Sequence, residues 1–368
     1  MEAEKHALLT LHLIPKIGNV IIKNLVSYAG SAQAVLQWPK SKLLKIPGIG
    51  NHTVNNILSR EISEKANQEF EKARKANVKI VSYLEKDYPY RLKQIPDAPP
   101  LIYTKGKFPP EEKKPTIAVI GTRNATEYGK KLTEDIIAGL SPLDPVILSG
   151  LAYGIDIHAH RNALKNNLTT FAVMGSGIDV VYPAAHRTTS EEMMGKGGLI
   201  TEQAFGSKPD AFNFPARNRI IAGMADLVVV VEAAKKGGAL ITAELANSYD
   251  REVAAFPGRV NDTYSEGCNK LIKKNKAHLV ETAEDVLYLM NWELENQAAI
   301  KQKVIDLSSF NEEEQNVINT LLQNNRVLPL DILSIKSQVN LNRLASVLLT
   351  LEFQGIIKSL PGKRYQMV

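Results

Sequence analysis

The chain has 368 residues, 44% hydrophobic and 23% charged, with a formal charge of +6 and a single cysteine. This is the composition of an ordered globular protein, long enough for a large core and one or two small domains. One cysteine excludes an intrachain disulfide framework and a cysteine-rich zinc module. The longest apolar run, ADLVVVVEAA, is broken by Asp226 and Glu232, far short of the ~20 residues a membrane helix needs.

The start MEAEKHALLT is acidic where a signal peptide is basic, so a cytoplasmic location is expected and no membrane partner. Cys268 lies in SEGCNKLI with no adjacent histidine and reads as a packing residue. The charge is uneven: residues 1–60 hold 7 basic against 2 acidic residues, residues 310–368 hold 6 against 5, and the middle is balanced at 32 each. A polyanion bound by the middle must therefore meet a local basic cluster, because no general positive field exists there.

Residues 11–26, LHLIPKIGNVIIKNLV, and 43–58, LLKIPGIGNHTVNNIL, repeat one pattern: an apolar helical stretch, I-P-x-I-G, and a second helical stretch. Glycine permits a tight hairpin and exposes N–H groups at the next helix start. Residues 1–64 thus resemble a tandem helix-hairpin-helix, or SAM-like, domain. Such hairpins contact phosphates without reading sequence, with Lys16, Lys23 and Lys45 as accessory contacts. The alternative is a small helical domain for packing or protein contact.

Residues 65–290 alternate helices with the β-like runs VKIVSYL, LIYTKG, TIAVIGT, VILSG, TTFAVMG, GLITEQ, DLVVVVEA and EVAAFPG. Several are unbroken Val/Ile/Leu runs, as in strands buried on both faces. The expected class is α/β: an extended Rossmann-like, doubly wound, mostly parallel sheet. A polar linker, 291–309, leads to an end domain, 310–368. There, EEEQNVINTLLQ, LDILSIKS and LNRLASVLLTLEFQG read as helices, and IIKSLPGKRYQMV as two strands around Pro361-Gly362. Three helices and a hairpin follow the winged-helix plan. Its recognition helix offers Arg343 alone, with Lys358, Lys363 and Arg364 on the wing; sequence readers present more Arg, Asn or Gln, so partner contact or weak DNA binding is expected over operator recognition.

In the middle domain strand ends run repeatedly into glycine turns: VIGTRNATEYGK, ILSGLAYGID, VMGSGIDVVYP and EAAKKGGALITAE. In an open α/β sheet these ends gather on one rim and present helix N-terminal N–H groups to an anion. No G-x-G-x-x-G follows the first strand and no G-x-x-x-x-G-K-[ST] is present, so neither NAD binding nor nucleotide hydrolysis is supported and no cofactor is expected. The segment FNFPARNR gathers Phe212, Phe214, Arg217, Asn218 and Arg219. Aromatic rings beside arginines suit single strands, where any base stacks and Arg holds phosphate. The alternative is that the phenylalanines are core and Arg217 caps a helix or pairs with a carboxylate.

SGLAYGIDIHAH, residues 149–160, allows a metal site at Asp156, His158 and His160 or a phosphate-facing turn from Ser149 to Gly154. On a helix starting near Ile155, Asp156 and His160 share a face and His158 points away. No metal is expected; Asp156 and His160 are read as the structural brace of the turn.

In this order, GTRNATEYG, SGLAYGIDIHAHRNAL, GSGIDVVYP, ITE, FPARNRIIAGMAD, KKGGALITAELA and FPGRV closely resemble the DprA/Smf family of DNA-processing proteins, and the resemblance covers nearly the whole chain. It implies a non-catalytic, single-stranded DNA-binding recombination mediator that protects strands and loads RecA during natural transformation. It also implies a homodimer through the Rossmann-like domain and contact with single-strand-binding protein. Carried over by position, Arg123, Phe214, Arg217 and Asn218 match the family's DNA pocket. Gly121, Ser149, Gly150, Gly175, Gly237 and Gly238 would line its rim, with Thr122, Gly154, Gly177 and Arg219 beside them and Lys235 and Lys236 adding charge. Two departures stand out: Thr122 replaces a common Ser, and GGALITA replaces SGSLITA, removing a hydroxyl at Ala239. Two other readings compete. One is a LOG-like nucleotide phosphoribohydrolase, whose PGGxGTxxE frame around Glu244 is missing; the other is a nucleotide-sensing winged-helix regulator.

Overall fold

The computed structural model describes residues 2–15, 17–110, 113–293, 310–324, 327–360 and 364–367. Lys16, the expected linker from residue 294 on, and the Pro361-Gly362 turn with Lys363 lie outside the described residues. The chain forms two compact units, Met1–Leu294 and Glu295–Val368.

The first unit opens with six helices: α1 (Glu2–His12), α2 (Asn19–Ala29), α3 (Ala32–Gln37), α4 (Lys40–Leu43), α5 (Asn51–Ile57) and α6 (Arg60–Lys75). Each I-P-x-I-G segment ends on the residue before a helix, Gly18 before α2 and Gly50 before α5, and neither supplies a side-chain cap. In the second repeat Gly48 has a φ of +82°, a left-handed conformation that glycine adopts without strain. Leu8, Leu9, Ile22, Leu25 and Val54 share one buried cluster with Leu101, Tyr103, Ala172 and Leu199. The helices therefore pack on the sheet that follows and share its core.

That sheet is built from β1 (Lys79–Ser82), α7 (Tyr90–Lys93), β2 (Leu101–Gly106), β3 (Thr116–Ile120), α8 (Glu127–Leu140), β4 (Val146–Ser149) and α9 (Ile155–Lys165). It continues through β5 (Thr169–Val173), α10 (Arg187–Met193), β6 (Gly198–Thr201), α11 (Asn213–Met224), β7 (Leu227–Val230) and α12 (Gly238–Ser248). The last elements are β8 (Glu252–Ala255), α13 (Glu266–Lys273), β9 (His278–Leu279) and α14 (Ala283–Met290). The nine strands lie in the order β1-β2-β6-β5-β4-β3-β7-β8-β9, antiparallel at β1–β2 and β2–β6 and parallel elsewhere.

Alternate residues of the central strands feed two cores. Ala118, Ile120, Leu148, Val228 and Val230 face one, and Ile117, Val119, Ile147, Leu227 and Val229 face the other. Burial on both faces is why these strands read as continuous apolar runs. From β3 the chain winds one way through β4 and β5, then crosses back to β7 and β8 on the other side. β3 is thus the topological switch point, outside whose carboxyl end such sheets open a crevice.

The second unit contains α15 (Glu312–Gln323), β10 (Val327–Pro329), α16 (Leu330–Ser337), α17 (Leu341–Phe353), β11 (Ile357–Leu360) and β12 (Arg364–Met367). Its strands form an antiparallel sheet in the order β10-β12-β11. Asn311 and Glu314 make a reciprocal capping box at the start of α15. Val317, Leu321, Leu333, Leu344, Leu348 and Ile357 form a core of the unit's own. No helix among the described residues is long and apolar enough to cross a membrane.

Candidate nucleic-acid interface

At the switch point a cavity of about 560 Å³ opens between the loop after β3, the turn after β4, helix α11 and the loop after β7. Gly121, Thr122 and Arg123 form one wall. The Thr122 N–H donates to the Glu232 carbonyl at 2.7 Å, and the Glu232 carboxylate accepts from the Thr126 N–H at 2.9 Å and the Thr126 hydroxyl at 2.5 Å. Glu232, buried at the end of β7, therefore clamps both ends of the loop that carries Arg123. The Gly129 Cα position lies against this carboxylate and leaves no room for a Cβ.

Arg123 is exposed, and its guanidinium carbon lies 5.4 Å from the Phe214 ring centroid. It has no carboxylate partner among the described residues. Phe214 is half-buried, with Tyr182 at 6.0 Å on a tilted ring and Gly175 behind it at 3.1 Å from a would-be Cβ. Gly175 thus makes room for the ring beside Arg123.

Arg217, from the next turn of α11, differs in kind. It is buried, donates to the Val173 carbonyl and lies flat against Gly150, where any Cβ would strike the guanidinium. Burial pulls its pKa down to about 10, partly offset by the nearby Asp156 carboxylate. Burial in turn raises the Asp156 pKa, opposed by Arg217 and by hydrogen bonds from the turn. Arg217 forms the floor of the cavity, and its Nε has no partner among the described residues. Asn218 also lines the cavity and donates to the Gly238 carbonyl at 3.3 Å. Arg219 turns away from the cavity to pair with buried Glu202 and to donate to the Asp97 carbonyl at 2.7 Å.

The turn 149–154 supports the site from behind. Ser149 donates its hydroxyl to the Val119 carbonyl at 2.7 Å, leaving the group turned inward. Gly154 has a φ of +75° and packs so closely on the Thr122 and Arg123 backbone that a Cβ is excluded. Leu151 holds a φ of +60°, uncommon for a branched residue, and its carbonyl accepts from His186 Nδ1 at 2.7 Å. Asp156 accepts the Ala152 N–H at 3.3 Å.

His160, the expected second half of the brace, is fully buried and faces β5 instead: its Nδ1 lies 2.8 Å from the Thr170 hydroxyl. That hydroxyl donates to the Ile147 carbonyl at 3.0 Å, so Nδ1 carries the imidazole proton and donates. Burial, with Arg217 and His186 nearby, lowers the His160 pKa to about 3, and the ring is neutral. Among the described residues no three His, Cys, Asp or Glu side chains are grouped to hold a metal.

Gly237 and Gly238 open α12 at the far wall, with exposed Lys236 beside them. Lys235 is exposed next to it but outside the lining; buried Gly177, packed against the Ala204 carbonyl, also lies outside it. Of the accessory lysines, Lys45 is exposed. Lys23 is half-buried, reaches the Pro96 carbonyl at 3.4 Å and sits 5.9 Å from the Tyr83 ring, and burial lowers its pKa. Sequence reading missed Glu232 and His186, because their partners lie 106 and 35 residues away.

A family model described as DNA recombination-mediator protein A matches residues 79–291. The chain belongs to this family. Its match spans β1 to the end of α14, so every wall of the cavity lies inside the DNA recombination-mediator region. Among its relatives, DNA processing protein DprA of Streptococcus pneumoniae is 43% identical over 206 residues, 56% of this chain and 72% of that protein. The Bacillus subtilis DprA is 33% identical over 266 residues, 70% of this chain and 89% of that protein. The X-ray structure of S. pneumoniae DprA superposes with a TM-score of 0.68 at 34% identity, covering 77% of this chain and 97% of that one. The Helicobacter pylori DNA processing protein A, described for its single-stranded DNA binding mode, gives 0.51 at 27% identity, covering 58% and 95%.

Proposed function

We propose that this family member binds single-stranded DNA along the carboxyl rim of its sheet, without reading sequence and without chemistry on the strand. The observation that carries this reading is the Arg123–Phe214 pair, held 5.4 Å apart at the mouth of the cavity. A base stacks on an aromatic ring for ~1–3 kcal/mol whatever its identity, while arginine holds phosphate. Lys236 and the backbone of Gly237 and Gly238 line the same cavity and suit the next phosphate. A duplex hides its base faces from such a ring. The single-strand binding described for the H. pylori relative supports the same reading.

Glu244, the carboxylate a phosphoribohydrolase would need, is exposed on α12 and paired with Lys276, so nothing favours that chemistry. We assign residues 1–64 as a helix-hairpin-helix domain, 65–290 as the strand-binding domain and 310–368 as a winged helix after the linker 291–309. The paired I-P-x-I-G turns and the three-helix, three-strand second unit support these assignments. Family resemblance extends the reading to a homodimer through the sheet domain and to delivery of the strand to RecA.

Fluorescence anisotropy of labelled oligo-dT tests the core of it. Affinity is expected to fall steeply with salt, log K against log salt having a slope of about −0.7 per phosphate neutralised, and a duplex of equal length to bind more weakly. Equal or tighter duplex binding overturns the proposal.

A further inference from the structure

Resting on that reading, we propose that the bound strand continues past Arg123 into a second nucleotide subsite, between the loop 122–126 and the loop 256–265. β8 lies beside β7, so the loop that leaves its carboxyl end stands on the same rim as the Arg123–Phe214 pair. There a separate cavity of about 870 Å³ opens, lined among others by Tyr128, Arg259, Asp262 and Tyr264. Asn124, next to Arg123, donates its side-chain amide to the Tyr264 hydroxyl at 3.1 Å. The loop carrying Arg123 is therefore the shared wall of both cavities, and a strand leaving one enters the other.

The second cavity is prebuilt. Asn269 of α13 accepts the Gly258 N–H at 3.1 Å and donates to the Gly258 carbonyl at 2.9 Å, tying the loop 256–265 to that helix. The Tyr264 carbonyl accepts the Ala233 N–H at 2.7 Å, tying the loop to the end of β7. Its chemistry fits one nucleotide. Tyr128 is 53% exposed and Tyr264 half-buried, giving ring faces for a base. Arg259 is exposed, with no carboxylate partner among the described residues, and serves a phosphate. Glu232 also borders this cavity, but its two oxygens are already engaged by Thr126. The remaining carboxylate, Asp262, repels phosphate and accepts from a base N–H, which places the base on its side and the backbone on that of Arg259.

The test compares the full-length protein with Arg259→Ala and Tyr264→Leu, each checked by thermal melting, on oligo-dT of about 4 and about 16 nucleotides, the range of single-strand site sizes. The short oligomer fills the Phe214 pocket alone and is expected to bind all three proteins equally. The long one is expected to bind the variants about tenfold more weakly, the equivalent of ~1.4 kcal/mol, so that the gain in affinity with length shrinks. Unchanged binding of the long oligomer by both variants overturns the subsite, as does equal loss at both lengths, which would mean that the loop only shapes the first pocket. If the unaltered protein binds neither oligomer, the proposed function itself falls, and the subsite with it.

Discussion

The two arginines of the site, Arg123 and Arg217, carry opposite duties, and burial separates them. Arg123 is exposed and meets only the Phe214 ring, so Arg123→Ala is expected to weaken oligo-dT binding about tenfold, within the ~1–3 kcal/mol of a stacked contact, and to leave the melting temperature unchanged. Arg217 holds the Val173 carbonyl from the interior and balances Asp156. Arg217→Ala leaves buried polar groups unmatched, an expected loss of ~2–4 kcal/mol read as a lower urea midpoint. His160 adds a pH dependence. Its folded pKa of about 3 lies below the ordinary value of 6.5, so between these values the unfolded chain binds a proton that the folded chain does not. Stability falls as pH drops through that window, by at most ~1.4 kcal/mol per pH unit. Asp156, with its pKa raised, acts in the opposite sense, so the diagnostic is a difference: His160→Asn, which keeps a donor toward Thr170, is expected to lose less stability than the unaltered protein between pH 7 and pH 5 in urea titrations at each pH.

At the level of elements, the site depends on loops that press on one another. Gly154, left-handed at the start of α9, fits beneath the Thr122–Arg123 backbone where no side chain can. Gly154→Ala combines strain at positive φ with displacement of the loop that carries Arg123. It is expected to cost ~2 kcal/mol or more and, unlike Arg123→Ala, to lower the melting temperature and oligo-dT affinity together. The strands β1 to β8 were legible as β-like apolar runs, unbroken in the central strands β3, β4 and β7, which are buried on both faces. The two-residue β9, His278–Leu279, has no such run, and its side chains are exposed; only pairing with Ala254 and Ala255 makes it a strand. β10 escaped notice for a similar reason: it is three residues ending in Pro329, beside α16, and it exists through its partner β12. Helical spacing put Asp156 and His160 on one face, but the expected brace holds only at Asp156: spacing does not say which neighbour a buried imidazole finds, and β5 supplied Thr170.

On the scale of the whole molecule, the two units have separate cores, and the cavity belongs entirely to the first. A chain ending at residue 294 is expected to keep a cooperative melting transition and to bind oligo-dT within about twofold of the full chain, because independent regions couple by only ~0.3–0.5 kcal/mol; a larger loss in anisotropy would place DNA contacts in the second unit. The balanced charge of the middle region already required a local cluster, and the cavity supplies one with Arg123 and Lys236 at its mouth and Arg217 beneath. By itself, the sequence determined the alternation of buried strands and helices, the glycines at the strand ends and the family those motifs mark, because each is written in residues close along the chain. Only the tertiary structure decided which arginine is exposed at the mouth of the cavity and which is buried in its floor. It alone brought Glu232 to the Arg123 loop and set Tyr264 against Asn124 from 140 residues away. Burial and pairing of that kind depend on which elements become neighbours in the sheet, and sheet order is a property of the assembled fold.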